Sequence, residues 1–348
     1  MTVSRSPGRA LLTQKQSLSN NMYPKHAIIA VTLNCNSRCI MCDIWKNRIT
    51  NELLPRDFLK LPPSLVDINI TGGEPFLRRD LVDIIANMKK VAPKARLIMN
   101  TNGFMPHRAA EDLPKIRAID PTFAFRVSID GMGQAHDAIR RIPGGFNKIM
   151  KTLKIARASG LRDLGVSFTV IDQNVNEIPK VQAFCRKNNL EFSITVATNS
   201  VIYFGSNKES MRPKNPKQLE KRLTELAYEH FASLRPKEIV RGWFVKGLLN
   251  YIRTGKRALP CDAGQGFFYM DSVGNVYTCH LKPWIMGNIK QNSLDEIFGH
   301  NRFASQVAAC NSCWMVCTSK SMIKKRLALI VPEVIPEVIN ATIRNLTS

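Results

Sequence analysis

From residue 27 onward the chain alternates short β-branched and aromatic runs with stretches of helical periodicity, and that alternation admits few folds. The strand-like runs are residues 27–33, 66–71, 96–100, 123–129, 165–170 and 192–197. Most are rich in Ile, Val, Phe and Thr, as buried parallel strands are. Between them apolar residues recur at helical spacing: Leu81, Ile84, Ile85, Met88 and Val91, then Ile149, Leu153 and Ala156, then Ile178, Val181 and Cys185. Six strand–helix units imply a parallel α/β domain. Right-handed crossovers would curl it into a barrel or partial barrel, or wind it into an open sheet. In either case chemistry gathers at the carboxyl ends of the strands. Cys35 follows the first run, Gly72-Gly73-Glu74-Pro75 the second and Thr101-Asn102-Gly103 the third, while Ser128 and Asp130 lie at the end of the fourth.

The nine cysteines are clustered. Three stand at Cys35, Cys39 and Cys42, and five lie between Cys261 and Cys317; Cys185 falls on an apolar helix face and reads as a small core residue. Residues 1–21 are polar, with no apolar core or small-residue cleavage site of an export signal. A reducing, cytoplasmic setting is therefore expected, and there clustered thiols read as metal or iron–sulfur ligands rather than disulfides. Three thiolates in the pattern Cys35-x3-Cys39-x2-Cys42 can hold three irons of a cubane and leave the fourth open. An open metal position marks a reactive site. The alternative is zinc, which needs a fourth ligand that no nearby Cys or His supplies.

At these residues the chain resembles the radical S-adenosylmethionine (SAM) superfamily. Gly72-Gly73-Glu74-Pro75 is similar to the family motif that holds the SAM amino group, with glycines for close backbone approach and Glu74 for the ammonium. Ser128-Ile129-Asp130-Gly131, His136-Asp137 and Arg140 resemble a second family stretch. The resemblance implies that Ser128 and Asp130 lie near the ribose and Arg140 near the SAM carboxylate. Met41 stands where the family usually has an aromatic residue before the third cysteine. The implied fold is a partial (β/α)6 TIM-like barrel. The implied chemistry is reductive cleavage of SAM to a 5′-deoxyadenosyl radical, which takes a hydrogen atom from a substrate, with electrons from a donor such as flavodoxin or ferredoxin.

Cys261, Cys279, Cys310, Cys313 and Cys317, with Met286-Gly287-Asn288-Ile289 between them, resemble the small cysteine-rich auxiliary-cluster domain called SPASM, or its shorter twitch form. That resemblance assigns Cys261, Cys279, Cys310 and Cys313 to one further 4Fe–4S cluster and leaves Cys317 as a spare or alternative ligand. A zinc ribbon built by the same four cysteines is the alternative. The domain plan is then a tail at 1–24, a radical SAM core at 25–210, a basic helical linker at 211–260, an auxiliary-cluster domain at 261–320 and a basic and apolar C-terminal tail at 321–348.

The formal charge of +23, from 50 basic and 27 acidic residues, favours an anionic substrate or surface. Residues 208–257 carry thirteen Lys/Arg against five Glu, and Lys320, Lys324, Lys325 and Arg326 form a second group ahead of an apolar stretch at 327–343. Pro332 and Pro336 interrupt that stretch, which is too short to span a bilayer. The substrate classes left open are a peptide, a sugar-like molecule, a cofactor precursor, a membrane lipid or polyprenyl phosphate, and tRNA. Salt-dependent retention of RNA would mark a nucleic-acid partner, and sedimentation with anionic liposomes a peripheral membrane contact. A non-enzymatic iron–sulfur carrier or zinc-stabilised binding protein would cleave no SAM.

Overall fold

The computed structural model describes residues 23–200, 202–203, 213–300 and 302–347, with side chains through 344. Most of the amino-terminal tail expected at 1–24, and the first residues of the expected basic segment, lie outside the described residues.

Six strands, β1 (His26–Thr32), β2 (Asp67–Gly72), β3 (Arg96–Thr101), β4 (Ala124–Ser128), β5 (Asp163–Val170) and β6 (Glu191–Val196), pair in parallel and in sequence order. Helices α1 (Leu81–Val91), α2 (Pro106–Ile119), α3 (Gln134–Arg140), α4 (Gly145–Ala158) and α5 (Ile178–Lys187) supply the crossovers. The helix faces expected from periodicity are the buried ones: Leu81, Ile84, Ile85 and Met88 on α1, Ile149, Leu153 and Ala156 on α4, and Val181 and Cys185 on α5. β6 does not pair with β1, so the barrel is partial.

The strands are not apolar on both faces. Their outer residues, such as Ile68, Ile70, Leu97, Met99, Val166 and Phe168, are buried under the helices. The inner residues are largely polar. Asn100 donates its side-chain N–H to Asn69 Oδ1 (2.7 Å), and Ser167 donates to Asn100 Oδ1 (3.0 Å), which links three strands across the barrel lining. Isolated polar side chains would be costly there, and the chain of bonds satisfies them.

The cysteine-rich region does not stand apart. β7 (Phe267–Met270) pairs in parallel with β1 on the side opposite β2, and β8 (Asn275–Tyr277) and β9 (Ile285–Asn288) continue as an antiparallel meander. One nine-stranded sheet, β6-β5-β4-β3-β2-β1-β7-β8-β9, therefore carries both cysteine groups. Gly274 makes the β7–β8 turn at φ +94, where a side chain would be strained.

Two further expectations change. The segment read as a basic linker forms helices α6 (Pro216–Ala232) and α7 (Pro236–Thr254), whose Leu219, Leu223, Phe231, Phe244 and Leu248 belong to the main core. The segment read as a C-terminal tail forms α10 (Val316–Lys325) and α11 (Leu327–Thr347), after two short helices, α8 (Leu294–Phe298) and α9 (Ala304–Ala308). α11 runs through Pro332 and Pro336, both exposed on its outer side. The carbonyls those prolines leave without helical donors thus face outward rather than into the core. Among the described residues no helix is long and apolar enough to cross a membrane.

Candidate active site

Cys35, Cys39 and Cys42 share the loop that leaves β1. A turn closes it, with Cys42 N–H donating to Cys39 O (3.1 Å), and Ile40 N–H ties it to Ile139 O on α3 (3.0 Å). Ser37 lies 3.1 Å from Cys39 Sγ and donates to Arg140 O (3.1 Å). Burial pushes the Cys35 thiol up to about 12 and the Cys42 thiol to about 11, and the neighbouring thiols add to both shifts. Three adjacent thiolates in such a place repel one another unless a cation neutralises them. The donor set therefore fits a metal cluster.

The loop after β2 lies directly against this one. Gly73 N–H donates to Thr32 O (2.8 Å) and Glu74 N–H to Asn34 O (2.9 Å). A Cβ on Gly72 would sit 2.0 Å from Thr32 O, and one on Gly73 2.0 Å from Asn34 O. Both glycines exist because the two backbones touch. Glu74 is fully buried; its carboxylate accepts from Phe76 N–H (3.1 Å), the Thr101 hydroxyl (2.7 Å) and Asn102 N–H (2.7 Å). Burial raises its pKa against those bonds. Pro75 follows, also buried, and begins the short turn that carries the chain away.

Asp130 and Arg140 form a buried ion pair, Nε to Oδ2 at 2.6 Å. The second Asp130 oxygen accepts from Thr169 N–H (2.8 Å), and Arg140 Nη1 points at Cys39 Sγ (3.5 Å). Asp130 has no exposed surface. Each of its oxygens accepts one of these bonds, and the ion pair holds Arg140 beside the cysteine loop. Ser128 keeps partial exposure at the end of β4. His136 accepts from Asp130 N–H through Nδ1 (3.1 Å) and is neutral, because burial pushes its pKa down to about 3. Asp137 accepts from Gly144 and Phe146 N–H (2.7 Å each) and so fixes the start of α4.

The second cysteine group gathers from three places: Cys261 before β7, Cys279 after β8, and Cys310, Cys313 and Cys317 around the start of α10. Burial raises Cys261 to about 11 and Cys279 and Cys317 to about 12. Cys313 is also raised, and its charge adds to the shift of each of those three. Arg257 is threaded into the group: its guanidinium donates to Cys313 O (2.7 Å) and Sγ (3.4 Å), and to Thr318 O (3.2 Å).

A cavity of about 520 Å³ lies inside the barrel, closed across the β6–β1 gap by α7 and α10. Asn69, Asn100, Ser167 and Thr195 line its wall, and Cys317 enters from the auxiliary side. Its amino-terminal end is strongly charged. Arg126 and Arg96 hold Asp163 down to about 2 against its burial (Arg126 Nη2 to Oδ1, 2.6 Å). Lys237 and Arg241 pair with Glu191, and Lys320 with Asp67. Burial, and repulsion from the other cations, lowers the pKa of Lys237 and Lys320 and brings Arg241 to about 10. Cations outnumber carboxylates there, and an added anion would relieve them.

Residues matching the radical SAM superfamily run from 29 to 185, and residues 261–317 match the SPASM iron–sulfur cluster-binding domain. The chain belongs to the radical SAM superfamily. This radical SAM enzyme therefore binds a 4Fe–4S cluster and SAM in its barrel and an auxiliary iron–sulfur cluster in its SPASM domain. It is 30% identical over 166 residues to a probable GTP 3′,8-cyclase of Methanococcus maripaludis, covering 46% of this chain and 54% of the relative. The same enzyme from a second strain is 26% identical over 271 residues, covering 74% and 84%. The chain spans about half the length of most of the curated relatives it matches. In fold, the chain superposes on Streptococcus suis SuiB bound to S-adenosylmethionine with a TM-score of 0.63 at 14% identity, covering 91% of this chain and 78% of SuiB.

Several residues of the radical SAM site carried no signal in the sequence. Glu52 accepts from the Thr32 hydroxyl (2.7 Å) and Leu33 N–H (3.1 Å), steadying the exit of β1. Asn102 donates to Asn36 Oδ1 (2.7 Å) and so ties the third strand end to the cysteine loop. Tyr203 stands between the two cysteine groups: its hydroxyl lies 2.5 Å from Thr71 Oγ1, and its ring meets Tyr269 and His280 edge-on. Of these residues Asn102 alone stands in a motif the sequence marks, Thr101-Asn102-Gly103 at the end of the third run.

Proposed function

We propose that this enzyme abstracts a hydrogen atom from an organic anion of small-molecule size seated in the barrel cavity. The observation that carries the reading is the cavity itself, largely apolar over its surface, with Asn69, Asn100, Ser167 and Thr195 as hydrogen-bonding groups on its wall and an excess of cations at its amino-terminal end. Its volume suits a molecule of that size and is too small for a folded RNA. Relatives named for GTP also act on an anion of small-molecule size.

In this reading Cys35, Cys39 and Cys42 hold the SAM-cleaving cluster, and Cys261, Cys279, Cys310 and Cys313 hold the auxiliary one. The SAM cluster supplies one-electron cleavage of SAM to a 5′-deoxyadenosyl radical. Gly72, Gly73, Glu74 and Pro75 receive the amino group of SAM, and Ser128 its ribose. Arg140, fixed by Asp130, receives the carboxylate. Asn69, Asn100 and Ser167 position the substrate, while Arg126, Lys237 and Arg241 neutralise its anionic group. α7 and α10 exclude water from the open side of the barrel. Electrons come from an external donor of the flavodoxin or ferredoxin class.

The test is anaerobic reconstitution, iron analysis and assay of 5′-deoxyadenosine with SAM and dithionite. About eight irons per chain are expected for two cubanes, with cleavage lost on changing Cys35, Cys39 and Cys42 to Ala. Binding of pyrophosphate, followed by calorimetry, should weaken at least tenfold in Arg126→Gln/Arg241→Gln. Unchanged pyrophosphate affinity would remove the anionic substrate class, and absence of both iron and cleavage would remove the enzymatic reading.

A further inference from the structure

Helix α11 is apolar on nearly every side, and such a helix is normally buried all round. Successive helix residues are about 100° apart. Ile330, Val334 and Ala341 accordingly form one stripe, buried against the α6–α7 pair. The opposite stripe is equally apolar and open: Leu329 is 63% exposed, Ile335 51% and Ile339 52%, with Val331 beside them at 50%. Its two acidic residues do not serve this outer face. Glu333 accepts from Trp243 Nε1–H (2.8 Å) and Glu337 pairs with Lys246 (2.6 Å), both on α7. From Leu329 to Ile343 the apolar strip runs about 21 Å along the helix. Lys324, Lys325 and Arg326 stand at its amino end.

We propose that the outer face of α11 lies flat on an anionic membrane surface, with Lys324 and Arg326 against the headgroups. An apolar strip too short of hydropathy to cross a bilayer, with a basic group at its end, has the form of an interfacial helix. Charge selects this occupant. A second copy of the chain would bring the same +23 to the contact, whereas an anionic surface neutralises it. Leu327, at the start of α11, and Lys324, near the end of α10, also line the barrel cavity. The docked face and the mouth of the cavity are therefore neighbours, and an amphiphilic anion could pass from one to the other.

The experiment is flotation of the full reconstituted chain with phosphatidylcholine vesicles, with and without about 30% phosphatidylserine. Binding to the anionic vesicles is expected, weakened by 0.5 M salt to roughly the level seen with neutral ones. Leu329→Asp/Ile335→Asp should lower binding at least tenfold while iron content and uncoupled SAM cleavage stay unchanged, because both side chains project away from the fold. Lys324→Glu/Arg326→Glu should lower binding to anionic vesicles alone. No binding by the parent chain, or equal binding by the Asp variant, overturns the proposal. So does a dimer in sedimentation velocity that the Asp variant dissolves while vesicle binding is absent. None of these outcomes depends on the identity of the cavity's substrate.

Discussion

Replacing Asp130 with Asn should both loosen the fold and disable the SAM site. Asp130 is fully buried, with one oxygen on Arg140 Nε (2.6 Å) and the other on Thr169 N–H (2.8 Å). An Asn at 130 has one oxygen and one amide group to offer two donors. Either orientation leaves an N–H facing another N–H, and in both the buried Arg140 charge loses its counter-ion. Breaking a buried pair from one side costs about 3–5 kcal/mol. With an unfolding entropy of roughly 2.1 cal/mol/K per residue over 348 residues, that loss lowers Tm by about 4–7 °C. Arg140 also reaches Cys39 Sγ and accepts from Ser37 through its carbonyl, so its displacement disturbs the loop that carries the cluster. The assay is melting of the reconstituted protein by circular dichroism beside 5′-deoxyadenosine formation. A variant that melts within about 1 °C of the parent and cleaves SAM normally would refute the assignment of Asp130 as the residue that fixes Arg140.

Four other outcomes are expected. Gly73→Ala places a Cβ 2.0 Å from Asn34 O, so the variant should lose iron and SAM cleavage together, as measured by iron analysis after gel filtration. Cys313→Ser should drop the iron from about eight to about four per chain while Cys317→Ser keeps about eight; equal losses would make Cys317 a ligand on a par with the others. Arg257→Met removes the donors to Cys313 and Thr318 and should shed the auxiliary iron on dilution while SAM cleavage persists, read by iron loss over time. His26 and His136 are buried and neutral, with burial holding them near 4 and 3. The unfolded chain binds their protons first, so stability is full above about pH 6.5 and falls as the pH drops toward 4. The slope is about 1.4 kcal/mol per pH unit for each histidine. Urea melts at pH 7 and pH 5 should differ by about 4 kcal/mol, and His136→Asn should halve the difference.

The strand–helix alternation, the cysteine spacings and the order of the short motifs are written along the chain, because periodicity and ligand spacing are local properties. By themselves they determined six parallel units with their chemistry at the strand ends, two cysteine groups, and the close-packed glycines at Gly72 and Gly73. Three matters were not local. Asn69, Asn100 and Ser167 alternate with apolar residues along β2, β3 and β5, but only barrel curvature decides that such residues of different strands share a lumen. The basic stretch around α6 and α7 reads as a solvated linker until its apolar stripe finds the core, because charge on one face of a helix says nothing of what the other covers. The C-terminal stretch reads as a broken tail, because proline's cost depends on whether the freed carbonyl faces protein or solvent. Tertiary structure alone brought Asp130 under Arg140, Tyr203 between the cysteine groups, and the cations of β3, β4, α7 and α10 to one end of a single cavity. Those residues come from strands and helices far apart in sequence, and no spacing records a contact that only the closing of the sheet creates.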